Sequence, residues 1–145
     1  MRQTKKGTSI IEIVIAASLI SMAVIAALSL ANQSQKQNSY AKNLSEATKY
    51  ATQGADWIRN EKNTLGWSTI NTLSDGTYCL NDFPLDMTAI QSGSCDSASH
   101  VDSTIFTREI EMVKSVDTIN ITVIVSWIEQ VKRQATIELE LSSWH

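Results

Sequence analysis

The sequence predicts an α+β fold, with one long N-terminal α-helix whose second half packs on a small antiparallel β-sheet. Three observations predict it. An apolar run free of Pro and Gly extends from Ile10 to Leu30. A stripe of Tyr40, Leu44, Ala47, Ala51, Ala55, Ile58 and Leu65 then recurs at the spacing of an amphipathic helix. The C-terminal segment alternates: Ile119, Ile121, Val123, Val125 and Trp127, then Ala135, Ile137, Leu139 and Leu141, take every second position. That period belongs to half-buried strands.

The elements follow in chain order. About 20 apolar residues span a bilayer as a helix, and Ile10 to Leu30 is of that length. Arg2, Lys5 and Lys6 precede the run, so the residues after about Leu30 are expected on the exported side. Ala16, Ala17, Ser18, Ala23, Ala26 and Ala27 are small enough for close approach between helices. Asn32 to Asn43 is polar almost all round, and beyond it the stripe begins. Gly54 weakens one turn without breaking it. One helix is therefore expected from about Ser9 to about Asn63, roughly 80 Å long. Its first half is apolar on every side and its second half on one, so the second half needs a partner surface.

Gly66 is placed to end the helix. Residues 66–103 read as an irregular region with one short strand, Thr77 to Leu80, after the turn signal Asp75-Gly76. Pro84 and Ser92-Gly93-Ser94 mark further loop. Residues 104–145 read as an antiparallel meander, with Ile105 to Val113 as its weaker strand and short connections near Ser115–Asp117 and Glu129–Lys132. The stripe of the helix supplies the cover that one face of such a sheet needs. Trp127 and Trp144 are expected to pack.

Charge and cysteines narrow the function. The formal charge is −3, and removal of a segment holding Arg2, Lys5 and Lys6 would lower the side-chain sum by three to −6. An acidic chain lacks the Lys and Arg that neutralise phosphates, so no nucleic-acid partner is predicted. Lys132-Arg133 reads as a solvated hairpin tip. Cys79 and Cys95 both fall on the exported side, where disulfides persist, and their even number favours a bridge worth roughly 3 kcal/mol. Their spacing is no metal motif.

Glu12 is the anomaly of the apolar run. A carboxylate in hydrocarbon costs roughly 2.5–3.5 kcal/mol at mid-membrane and asks for a partner. Lys5-Lys6-Gly7, followed by Thr8-Ser9-Ile10-Ile11-Glu12 and an uninterrupted apolar helix, resembles the class III leader of type IV pilins and the related pseudopilins, with the minor pilins the nearest match. The resemblance implies removal of a basic leader, residues 1–7, by prepilin peptidase. The cut would fall between Gly7 and Thr8, with Lys5 and Lys6 in leader recognition and N-methylation at Thr8. It places Glu12 at the acidic position that serves subunit assembly, opposite the new amino group of a neighbouring copy. Residues 8–31 would be the transmembrane and assembly helix and 32–65 its amphipathic continuation. Implied partners are other pilin subunits, prepilin peptidase, the inner-membrane assembly platform and, before assembly, the membrane. The chain would be a single-pass cytoplasmic membrane protein that becomes part of a cell-surface pilus. It departs from the family at Thr8, where Phe is usual, and at Ser29, where many major pilins carry the Pro that kinks the helix.

The same residues admit other readings. Glu12 can also complement the dipole of its own helix. Ser29-Leu30-Ala31 loosely fits a signal-peptidase site, but an ordinary signal h-region runs only about 7–15 residues and has no use for Glu12. A minor pseudopilin of a type II secretion system shares the leader and the helix, and a membrane-tethered binding module that never polymerises shares the anchor. No enzyme is expected: His100 and His145 lie far apart, and there is no phosphate loop, Cys-x-x-Cys or nucleophile elbow. No cofactor or metal site is expected, since Asp82, Asp86 and Asp96 do not have EF-hand spacing.

Overall fold

The computed structural model describes residues 9–96 and 98–143. It has a long N-terminal helix and a five-stranded antiparallel sheet, the α+β architecture expected. The chain divides after Ala41 into two compact units. Helix α1, Ile10–Leu65, is continuous across the division.

In the first unit every described residue is exposed. From Ile10 to Leu30 this stretch of α1 is apolar, and two serines within it turn inward on the helix backbone. The hydroxyls of Ser18 and Ser21 donate to the carbonyls of Ile15 and Ala17, each at 2.8 Å. Such bonds satisfy the serines without water, as an apolar solvent requires. Tyr40 is exposed, so the buried stripe starts later than its spacing suggested.

The second unit holds the core. Here α1 buries Ala47, Ala51, Gly54, Ala55 and Ile58, with Leu44 and Leu65 packed at the margins. The helix ends two residues past the expected point. Gly66 donates its N–H to the carbonyl of Lys62 (3.0 Å) and takes φ +80°, a conformation open to glycine. A single helical turn, α2 (Trp67–Ile70), follows because Ile70 is drawn into the core.

The sheet comprises β1 (Gly76–Cys79), β2 (Gln91–Ser92), β3 (Thr107–Lys114), β4 (Thr118–Ile128) and β5 (Lys132–Ser142), in the order β2-β1-β3-β4-β5. β3, β4 and β5 form the expected meander. β4 is central: Met112, Ile121 and Leu139 stand in one cross-strand row, and Ile110, Val123 and Ile137 in the next. All five odd apolar positions of β4, from Ile119 to Trp127, are buried. The irregular region is more ordered than its composition suggested. It adds β2 and two 3-10 turns, Met87–Ala89 and Val101–Ser103, because Leu80, Met87, Ile90, Val101 and Phe106 all reach the core.

Helix and sheet fit by size. The helix presents small residues and the sheet presents large ones. Phe106 bridges Tyr50 and Trp127 at ring separations of 5.5 and 5.8 Å. Gly54 marks a close approach of helix and sheet. A Cβ there would lie 3.1 Å from both Arg108 Cδ and Val123 Cγ1.

Ala is better than Gly in a helix interior by about 1 kcal/mol. At Gly54 the neighbours cannot yield freely: Val123 is a buried β-branched residue of the central strand, and Arg108 is held by hydrogen bonds. Gly54→Ala is expected to lower the unfolding free energy by roughly 1 kcal/mol, and Gly54→Leu by roughly 3 kcal/mol. Urea unfolding of the full chain in detergent, followed by Trp fluorescence, measures both. An unchanged midpoint for Gly54→Leu would refute the tight contact.

Candidate functional site

Two features stand out as functional candidates. The first is the apolar part of α1. Its Ile, Leu, Val and Met side chains between Ile10 and Leu30 are all more than half exposed. Among the described residues this is the one helix long and apolar enough to cross a membrane. Glu12 lies in its first turn, its backbone N–H donating to the carbonyl of Ser9 at 2.9 Å. The carboxylate is exposed. At that place a negative charge complements the unsatisfied N–H groups of the helix start. Lys5, Lys6, Gly7 and Thr8 lie outside the described residues, as do Trp144 and His145.

The second feature is the clamped loop between β1 and β3. Cys79 and Cys95 are joined by a disulfide, as expected. It ties the end of β1 to the residues just after β2. Inside the loop, Asn81 accepts the backbone N–H of Arg108 (2.7 Å) and donates to the carbonyl of Ser99 (2.7 Å). Glu61 of α1 is buried and accepts the N–H of Met87 at 3.1 Å. Asp86 caps the first 3-10 turn by accepting from the N–H groups of Thr88 and Ala89. The Thr88 hydroxyl, then its N–H, holds the Asp86 carboxyl below its ordinary range. The cap is therefore complete above the ordinary carboxylate pKa and is lost as pH falls through the lowered value.

Arg108 is the centre of the clamp. It is 1 % exposed and points from β3 into the core. Its Nε donates to the carbonyl of Leu80 (2.7 Å), Nη1 to that of Tyr50 on α1 (3.1 Å) and Nη2 to that of Asn81 (3.3 Å). Its guanidinium carbon stands 4.1 Å from the centre of the Phe83 ring, and Phe83 stacks on Trp57 of α1 at 5.5 Å. Burial lowers the Arg108 pKa to about 10, against the opposing pull of Asp102 and Asp82. The group still carries its charge at neutral pH. One side chain thus joins helix, loop and sheet through three main-chain carbonyls and an aromatic face.

Sequence reasoning missed Arg108, Glu61 and Asn81. Two of them had a signal. Arg108 shares parity with Phe106, Ile110 and Met112 and so faces the core. Glu61 falls on the helix stripe between Ile58 and Leu65. Asn81 sits in irregular chain where no period applies. Asp82, Asp86 and Asp96 are not gathered: among the described residues no group of three or more His, Cys, Asp or Glu side chains is placed to hold a metal ion.

Arg108→Leu removes the donors of three carbonyls and is expected to cost roughly 3–5 kcal/mol. Arg108→Lys keeps the charge but not the fork, and should cost roughly 2 kcal/mol. Paired Cys79→Ser and Cys95→Ser changes should cost roughly 3 kcal/mol. Denaturant titration of the full chain reads all three. Equal stability of Arg108→Lys and the parent would show that the fork geometry is immaterial.

Comparison with known proteins gives no match to a family model, a curated protein or a solved structure. The long apolar N-terminal helix, the antiparallel sheet on its second half and the disulfide are consistent with a pilin-like fold.

Proposed function

We propose that this chain is a minor pilin-like subunit of a type IV pilus. Prepilin peptidase would remove residues 1–7, and the apolar part of α1 would hold the subunit in the membrane until the assembly platform transfers it into a filament. The observation that carries this reading is the exposed apolar helix with a single carboxylate, Glu12, joined to a folded domain. An anchor alone has no need of the acid. In a bundle of such helices, the carboxylate of one copy and the α-amino group of Thr8 in the next attract in a medium of low dielectric. Desolvation offsets much of that gain, so the pair acts mainly on register. Its role is structural: the domain is displayed and the fibre is joined or primed. Catalysis has no part in the proposal.

Glu12→Ala is the test. The variant should reach the mature size, because the cut lies before the helix, yet its recovery with sheared surface filaments should fall roughly tenfold or more. Unchanged recovery would contradict the assembly role of Glu12. A bulky residue in place of Gly7 should instead leave the protein at its full size, because the peptidase needs close access to that backbone.

A further inference from the structure

We infer that the open edge of the sheet, strand β5, docks an extended segment of another protein, one that carries basic side chains on its outer face. Such a site belongs to the folded domain and does not depend on assembly into a filament.

β5 ends the sheet order, and among the described residues no strand lies beyond it. It pairs with β4 from Thr118↔Ser142 to Ile128↔Lys132 without a bulge. One step past that ladder, the N–H of Ser143 donates to the carbonyl of Asp117 at 3.3 Å. Odd-numbered residues of β5 therefore turn their N–H and C=O groups toward β4, and even-numbered residues turn theirs away. The main-chain groups of Gln134, Thr136, Glu138 and Glu140 form an outward row that no strand meets among the described residues.

Proteins protect such an edge by keeping it short, or with a bulge, a Pro or a charge turned to the core side. From Gln134 to Leu141, β5 has none of these. Lys132 and Arg133 stand only at its hairpin end. The core also stops short of this edge. Leu139 and Leu141 are buried, while Ala135 and Ile137 are half-buried. An added strand would pair the outward main-chain groups and close that seam.

Charge selects the occupant. Glu138 and Glu140 are exposed on the outer face, and Glu111 stands in one row with Glu138, across Thr122. None of the three is in an ion pair among the described residues. Opposite charges facing each other on a sheet attract and like charges repel. The incoming strand therefore has Lys or Arg across from Glu138 and Glu140, and apolar residues across from Ala135 and Ile137. A second copy of β5 does not fit. Paired antiparallel, it would send its stretch of α1 in the opposite direction, which one shared membrane does not allow. Paired parallel, it would set Ala135 and Ile137 beside the wet face of the other sheet.

The peptide Lys-Val-Lys-Val-Thr-Val-Thr, capped at both ends, sets its two lysines opposite Glu140 and Glu138 when antiparallel to β5. Titrated with the full chain in non-ionic detergent, it should bind saturably and slow hydrogen exchange at the N–H groups of Thr136 and Glu138 roughly tenfold or more. Thr136→Pro removes one outward donor and leaves the ladder with β4 intact. It should weaken binding roughly tenfold or more at an unchanged unfolding midpoint. Glu138→Lys combined with Glu140→Lys should weaken binding as much, and should instead take the peptide with Glu in place of Lys. That pair decides the matter should the Pro variant fail to fold. No saturable binding, protection elsewhere in the chain, or an affinity that ignores the variants would overturn the inference. So would protection of the same N–H groups without peptide that grows with protein concentration, since a second copy would then be the occupant.

Discussion

The structure depends on a constraint carried by α1: one continuous helix has to suit two different surroundings. From Ile10 to Leu30 its surface is apolar on every side, and Ser18 and Ser21 within it return their hydroxyls to the helix backbone. From Leu44 onward only one stripe is apolar. The sheet answers that stripe. Its large side chains meet Ala47, Ala51, Gly54 and Ala55, and without that cover the second half of the helix would leave a ridge of alanines in water. Alanines bury little area each. The association is therefore secured by closeness and by polar bonds rather than by bulk on the helix side.

Arg108 turns closeness into specificity. A buried guanidinium without a carboxylate is an expensive group, and here it is satisfied by three carbonyls, one from the helix and two from consecutive residues of the loop after β1. Tyr50 supplies one although it lies within the helix, which Gly54 allows by leaving room for the Arg108 stem. The same side chain supports Phe83 from inside, so the fixed core and the displayed loop are coupled. The disulfide restrains the loop at its other end. A loop rich in Ser and Asp is in this way given one shape on the surface.

Much of this was legible in the sequence, for physical reasons that differ by element. The strands at Ile119–Trp127 and Ala135–Leu141 declare themselves because one sheet face is wet and the other dry, which forces strict alternation. The helix is legible through its stripe and through the glycine that stops it. The disulfide was legible from an even cysteine number and from the exported side expected for the residues after the apolar run. The loop did not yield in the same way. β2 is two residues long and exists through its pairing with β1, α2 through the burial of Ile70, and neither tertiary contact has a local period. Arg108 was obscured by type: a charged residue is read as solvated unless its parity is given more weight than its chemistry. At the N-terminus the situation reverses. There the sequence pattern of Lys5, Lys6, Gly7, Thr8 and Glu12 carries the proposal, because the processing and the contact between copies that we propose are not properties of a single folded chain.

The account turns on whether the basic segment is removed so that a new amino group stands at Thr8, with the carboxylate of α1 at the fifth residue of the new chain. Intact mass and N-terminal sequencing of the protein recovered from its native host measure this directly. The account predicts a chain that begins at Thr8. A chain that keeps Met1 through Gly7, or one that begins at Asn32 after an ordinary signal cut, would contradict it.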